Sequence, residues 1–117
     1  MFDLTGLQAS LKVLSTAYAA ELPGKIEQLE QAWNQLPQSG WDDQSFASMH
    51  RMVHSLTGSG KTFGFAALSD VARNLEDYLK QLAPQKTALS EDQRNHVQEL
   101  MRELHRAILC RDAAPGD

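Results

Sequence analysis

The densest chemistry in the chain lies in eleven residues, His54-Ser55-Leu56-Thr57-Gly58-Ser59-Gly60-Lys61-Thr62-Phe63-Gly64. Their apolar members continue a helical stripe, yet three glycines interrupt it. An interior glycine costs a helix about 1 kcal/mol relative to alanine, so Gly58 and Gly60 give up roughly 2 kcal/mol together. Such a conflict points to a functional surface or a tight packing contact. With residues spaced at about 100°, Phe46, Met49, Val53, Leu56 and Phe63 fill an arc of about 100° facing a core, and His54 lies about 130° from its centre. His54 is therefore predicted at the rim or in solvent, with His50, Thr57, Gly58 and Lys61 on the same side and Gly58 one turn along. The missing side chain at Gly58 leaves room for another molecule to reach the ring, and Lys61 sets a cation where a phosphate on that ring would be partly neutralised. A neutral imidazole offers a nitrogen lone pair. That nitrogen can attack phosphorus in line and hold the phosphoryl group as a phosphoramidate, provided a partner brings the donor and the charge-stabilising metal.

Other chemistries fit the same residues less well. Gly60-Lys61-Thr62 has the ending of a phosphate-binding P-loop, but that loop needs a glycine where Ser55 stands and a buried strand before it. His50 and His54, at i and i+4, could share a zinc ion, yet no Glu follows His50 to complete the usual pattern. His96 and His105 are nine residues apart, which sets them on nearly opposite helix faces. No metal site is expected. Met49, Met52 and Met101 read as core filling, and nothing marks Cys110 as reactive.

Four helical blocks must position these residues. Leu4, Leu7, Leu11, Leu14, Tyr18, Leu22, Ile26, Leu29 and Trp33 recur at threes and fours, predicting one long helix kinked at Pro23, or two helices meeting there. Pro37-Gln38-Ser39-Gly40 breaks the pattern, and Asp42 or Asp43 can cap a second helix that runs to about Thr62. Phe65, Leu68, Val71, Ala72, Leu75, Leu79 and Leu82 define a third. After a loop over Ala83–Thr87, Ser90 and Gln93 fit a capping box that opens the fourth, with Val97, Leu100, Met101, Leu104 and Ile108 as its core stripe. The expected fold is all-α, an antiparallel up-and-down four-helix bundle over residues 1–110, with 111–117 as a tail or the start of a linker.

Composition bounds the partners. The chain has 117 residues, 42% hydrophobic and 22% charged, enough for one domain with its own core. A single cysteine permits no internal disulfide, and neither a membrane span nor a secretory leader is apparent. A cytoplasmic protein is expected. With 15 acidic against 11 basic side chains, nucleic acid is not an expected partner. Near His54 the balance is locally positive, through His50, Arg51 and Lys61.

The string His54, Leu56, Thr57, Gly58, Ser59 and Gly64 resembles the signature of histidine-containing phosphotransfer domains, commonly His-x-Leu-Lys-Gly-Ser/Ala followed by a further Gly. The resemblance extends to Glu21-Leu22-Pro23 and to the helix carrying Leu68, Ala72, Leu75 and Glu76. It implies a four-helix bundle with His54 as the phosphorylated nucleophile. It also implies that Gly58 admits a receiver domain, and that Ser59, Gly60 and Gly64 shape the helix and turn behind it. Thr57 stands where the family usually has Lys, with Lys61 one turn further on. Glu76 and Lys80, both at the polar edge of their helix, fall where the family presents polar side chains toward the histidine. The implied role is a phosphorelay intermediary that is neither kinase nor ATP-binding module. It would exchange phosphate with response-regulator receiver domains, those of a hybrid histidine kinase included, and have no cofactor of its own, Mg²⁺ coming from the receiver. The chain would act as a monomer or within a multidomain protein. The Thr57 departure motivates a second reading, a receiver-docking adaptor or inhibitor that keeps the bundle without transferring phosphate.

Overall fold

A computed structural model describes the backbone of residues 4–36 and 40–109, with side chains from Val13 onward. Four helices follow in order: α1 (Leu4–Gln35), α2 (Asp43–Thr62), α3 (Ala66–Leu82) and α4 (Glu91–Ala107), with a 3₁₀ turn over Ala83–Gln85. No strand occurs among the described residues. Each helix packs on its predecessor, and α1 also meets α4. Cross-contacts fix the directions. Tyr18 of α1 reaches Ser59 near the end of α2, Ser69 of α3 bonds back to Thr57, and Tyr78 of α3 packs on His96 of α4. Along the last seam Glu30 pairs with His105 while Arg94 covers Trp33. The order along every seam is antiparallel, as the expected up-and-down bundle requires.

The apolar stripes meet as their spacing dictates. Ile26 and Leu29, Met49 and Val53, Leu68, Ala72 and Leu75, and Val97 and Leu104 are all fully buried. Burying one such large side chain is worth about 1.5–3 kcal/mol, which makes these stripes the main source of stability.

α1 is a single 32-residue helix that runs through Pro23, the first of the two alternatives its spacing allowed. Pro23 and Gly24 lie on the exposed face, where water can serve the carbonyl that loses its amide partner. Leu14, placed in the apolar stripe by its spacing, is 53% exposed, and Val13 is 67% exposed. The cause is length. At 1.5 Å per residue α1 is about 48 Å long against about 30 Å for α2, and Tyr18 already packs at the corner joining α2 to α3. Val13 and Leu14 lie before that corner, where the described residues leave them uncovered. The side chains of Leu4, Leu7 and Leu11, the break at Pro37-Gln38-Ser39, and Cys110 with 111–117 lie outside the described residues.

Helix ends follow the capping signals. Ser90 accepts from the Gln93 amide at 3.1 Å while the Gln93 side chain accepts from the Ser90 amide at 2.9 Å, a complete capping box. Asp42 caps α2, accepting from the Gln44 amide at 3.2 Å and from the Ser45 hydroxyl at 2.6 Å. The Ser45 bond, chiefly, holds the Asp42 carboxyl below its ordinary range against an opposing desolvation, with the backbone amides of Gln44 and Ser45 adding lesser contributions in the same direction as the Ser45 bond. Its contribution to stability is thus present above the ordinary carboxylate pKa and is lost as pH falls through the lowered value in the folded chain. Urea denaturation of the wild type and Asp42→Ala should show a clear gap at neutral pH that narrows as pH falls below the ordinary carboxylate range. A gap of constant size would remove the carboxylate from the account.

Candidate functional site

The site is assembled where α2 and α3 run side by side, and its register depends on how α2 ends. Gly64 adopts φ 89°, a left-handed conformation that a side chain would resist. The turn is closed by the Phe63 amide donating to Ser59 O at 3.2 Å and the Phe65 amide donating to Gly60 O at 2.8 Å. Phe63, expected in the core stripe, instead follows the helix as its cap residue, half-buried and stacked on Tyr18 at 4.8 Å between centroids.

Gly58 and Gly60 break the helical preference for different reasons. Gly60 is buried, and a Cβ there would sit 3.2 Å from Phe65 O and 3.3 Å from Ser69 N, both backbone atoms. Gly60 therefore allows α3 to begin in close contact with α2. Ser69, buried at the same crossing, donates to Thr57 O at 2.6 Å and ties the two helices together. Gly58 is exposed, and a Cβ there would meet nothing within 4 Å. Packing does not require Gly58.

His54 projects into solvent with 72% of its side chain exposed, and its Nδ1 lies 2.5 Å from Oε2 of Glu76. A carboxylate accepts at that distance, so Nδ1 carries a hydrogen, and in the neutral ring Nε2 then holds the lone pair. Glu76, expected at the polar edge of its helix, is instead buried, with 7% of its side chain exposed. Core contacts on either side, from Leu75 and Leu79, hold that helix face against α2. His50, one turn before His54, has its ring nearly parallel to it, with centroids 6.4 Å apart and planes at 11°. Its Nε2 is 3.9 Å from the same Glu76 oxygen.

The other expected residues are distributed around this pair. Arg51 and Lys61 are exposed on α2, and Lys80 is exposed on α3 one turn beyond Glu76. Thr57 is half-buried and turns its hydroxyl back to Val53 O at 3.1 Å, so it places no cation beside His54. Ser59 points away from the histidine. Its hydroxyl bonds Ser55 O at 2.7 Å and the Tyr18 hydroxyl at 2.8 Å, anchoring α1 to the end of α2. Burial raises the Tyr18 phenol above its usual value, an effect that the Ser59 bond partly offsets. Gly60-Lys61-Thr62 is helical, not a phosphate-cradling loop. The sequence did not single out Tyr18 or Ser69 as supports. The available signal for Ser69 was a small polar side chain among the core positions of α3.

Among the described residues no group of three His, Cys, Asp or Glu is placed to hold a metal ion, and no helix is long and apolar enough to cross a membrane. His96 packs on Tyr78 and His105 pairs with Glu30, on opposite sides of α4 as their spacing requires.

What the arrangement can do is present one oriented imidazole nitrogen on an open helix face. No curated protein and no solved structure matches the chain. The model of the Hpt domain family matches residues 13–107, which takes in α1 from Val13 onward, all of α2 to α4, and every site residue described above. That match implies histidine phosphotransfer in two-component signalling, the work of a phosphocarrier module and not of a kinase. The chain belongs to the Hpt domain family.

Proposed function

We propose that His54 carries the phosphoryl group and exchanges it with the aspartate of a response-regulator receiver domain, making the chain a phosphorelay intermediary. One observation carries this reading. The most exposed imidazole of the motif is bonded through Nδ1 to a buried carboxylate, which leaves Nε2 as the nucleophile.

The step balances without a proton transfer. The Nε2 lone pair attacks phosphorus in line, and the bond between phosphorus and the aspartyl oxygen breaks with its electron pair leaving on the carboxylate. The Nδ1 hydrogen stays on the ring, and the positive charge the ring acquires faces Glu76. The receiver supplies the acidic pocket and Mg²⁺. This chain supplies the nitrogen, the unobstructed surface at Gly58, and the exposed cations Arg51 and Lys61 for the acidic rim of its partner. Receiver domains of this kind place the exchange in the cytoplasm.

The test is incubation with phosphorylated receiver domains and Mg²⁺. An acid-labile, base-stable label should appear on the wild-type chain and be absent from His54→Gln, with the helical circular dichroism unchanged. Failure of the wild type to accept phosphate from every receiver encoded in the same genome, or equal labelling of His54→Gln, would overturn the reading.

A further inference from the structure

The site contains one polar atom that the proposed chemistry does not use. His50 Nε2 is buried and has no hydrogen-bond partner among the described residues, although a third of its side chain is exposed. The ring therefore turns this nitrogen inward, and the charged group it meets there is Glu76 Oε2 at 3.9 Å. That distance is too long for a hydrogen bond, but about 1 Å of side-chain movement would close it. A buried lone pair facing a carboxylate oxygen would be repelled and unsatisfied, whereas an N–H there is attracted. The carboxylate thus selects the Nε2–H form of His50, just as it selects the Nδ1–H form of His54.

We infer that His50 is a positioning residue for phosphoryl transfer: its Nε2–H holds the Glu76 carboxylate from the preceding turn of α2, so that one oxygen fixes two imidazoles in opposite tautomers. This deepens the proposed role of His54 and rests on it. The consequence for the reaction is direct. An imidazole not held at Nδ1 divides its hydrogen between both nitrogens, and whenever Nε2 carries it the nucleophile is blocked. A second donor on the carboxylate narrows the positions that Glu76 can take and keeps it at His54 Nδ1, much as outer partners orient a functional histidine in other sites.

Two readouts test this. Nitrogen-15 shifts of the His50 and His54 rings, recorded at alkaline pH where both are neutral, should show the Nε2–H form at His50 and the Nδ1–H form at His54. In His50→Phe, which keeps a ring but no donor, His54 should shift toward a mixture, and its rate of labelling by phosphoramidate should fall roughly tenfold. Phosphoramidate delivers its phosphoryl group with cleavage of the P–N bond and release of ammonia, so receiver docking does not enter the rate. His50→Gln, whose side-chain amide can donate to the same oxygen, should restore both the tautomer and the rate. His50→Ala repeats the loss if the phenylalanine does not fit. An unchanged His54 tautomer and rate in the folded Phe or Ala variant, or a His50→Gln that behaves like them, would overturn the inference. Should the wild type accept no phosphoryl group from any donor, the proposed function fails, while the nitrogen shifts still decide the role of His50.

Discussion

Replacing Glu76 with leucine is expected to slow phosphoryl acceptance by His54 about 10- to 100-fold, the range found when an outer partner that orients a functional histidine is lost, while leaving the bundle about as stable as before. The rate falls because His54 Nδ1 loses the acceptor that it meets at 2.5 Å and the ring is free to place its hydrogen on Nε2. Stability should suffer little, since Glu76 is buried beside core leucines, the His54 ring is exposed and can hydrate once released, and the His50 ring, a third exposed, can turn its Nε2 toward water. Exchanging a buried charge for an apolar side chain of similar size is often neutral or stabilising under those conditions. Glu76→Gln should keep most of the rate, because its carbonyl oxygen can still accept from Nδ1–H. Initial labelling rates with a phosphorylated receiver, set beside thermal melts, check both halves. If the leucine variant transfers at the wild-type rate, the carboxylate does not orient the nucleophile.

The second large effect separates two glycines that look alike in the sequence. Gly60→Val should destabilise the fold by about 2 kcal/mol: overpacking costs about 1–3 kcal/mol, and the helix preference gained over glycine offsets only a few tenths. The obstacle is backbone on both sides, Phe65 O and Ser69 N, so no flexible side chain can move aside. Gly58→Ala should do the opposite, adding up to about 1 kcal/mol of helix stability because its Cβ enters open space. Transfer from a receiver should nevertheless slow in Gly58→Ala, while labelling by phosphoramidate stays near the wild-type rate. Urea denaturation with both donors measures all four quantities. Equal and same-signed stability changes at the two positions would mean that the corner is not as tightly packed as it looks.

These glycines also show what the sequence made legible. Helical periodicity was enough to expose His54, to place Gly58 beside it and to bury Met49, Val53 and Leu56, because a 3.6-residue repeat assigns a face to every position. The same arithmetic sets Gly60 on the buried side, yet it says nothing about the close approach of Phe65 and Ser69, which arises from another helix. Periodicity likewise gave Leu14 the correct face but could not say whether any helix lay opposite. Pro23 was ambiguous for a local reason. A proline removes one helical bond, and whether the helix survives depends on solvent access to the orphaned carbonyl. Glu76 was the hardest to read. It lies 22 residues from His54, and only the resemblance brought it into the site; its burial and its second neighbour, His50, follow from the pairing of α2 with α3.

That pairing has a consequence for how the chain acquires its activity. The proposed nucleophile His54, the Glu76 carboxylate that it meets, His50 and both special glycines all lie between Asp43 and Leu82, in one helical hairpin closed by a short turn. Contacts so near in sequence carry little loop-closure entropy and form early and fast. The site can therefore reach its working geometry as a single cooperative unit.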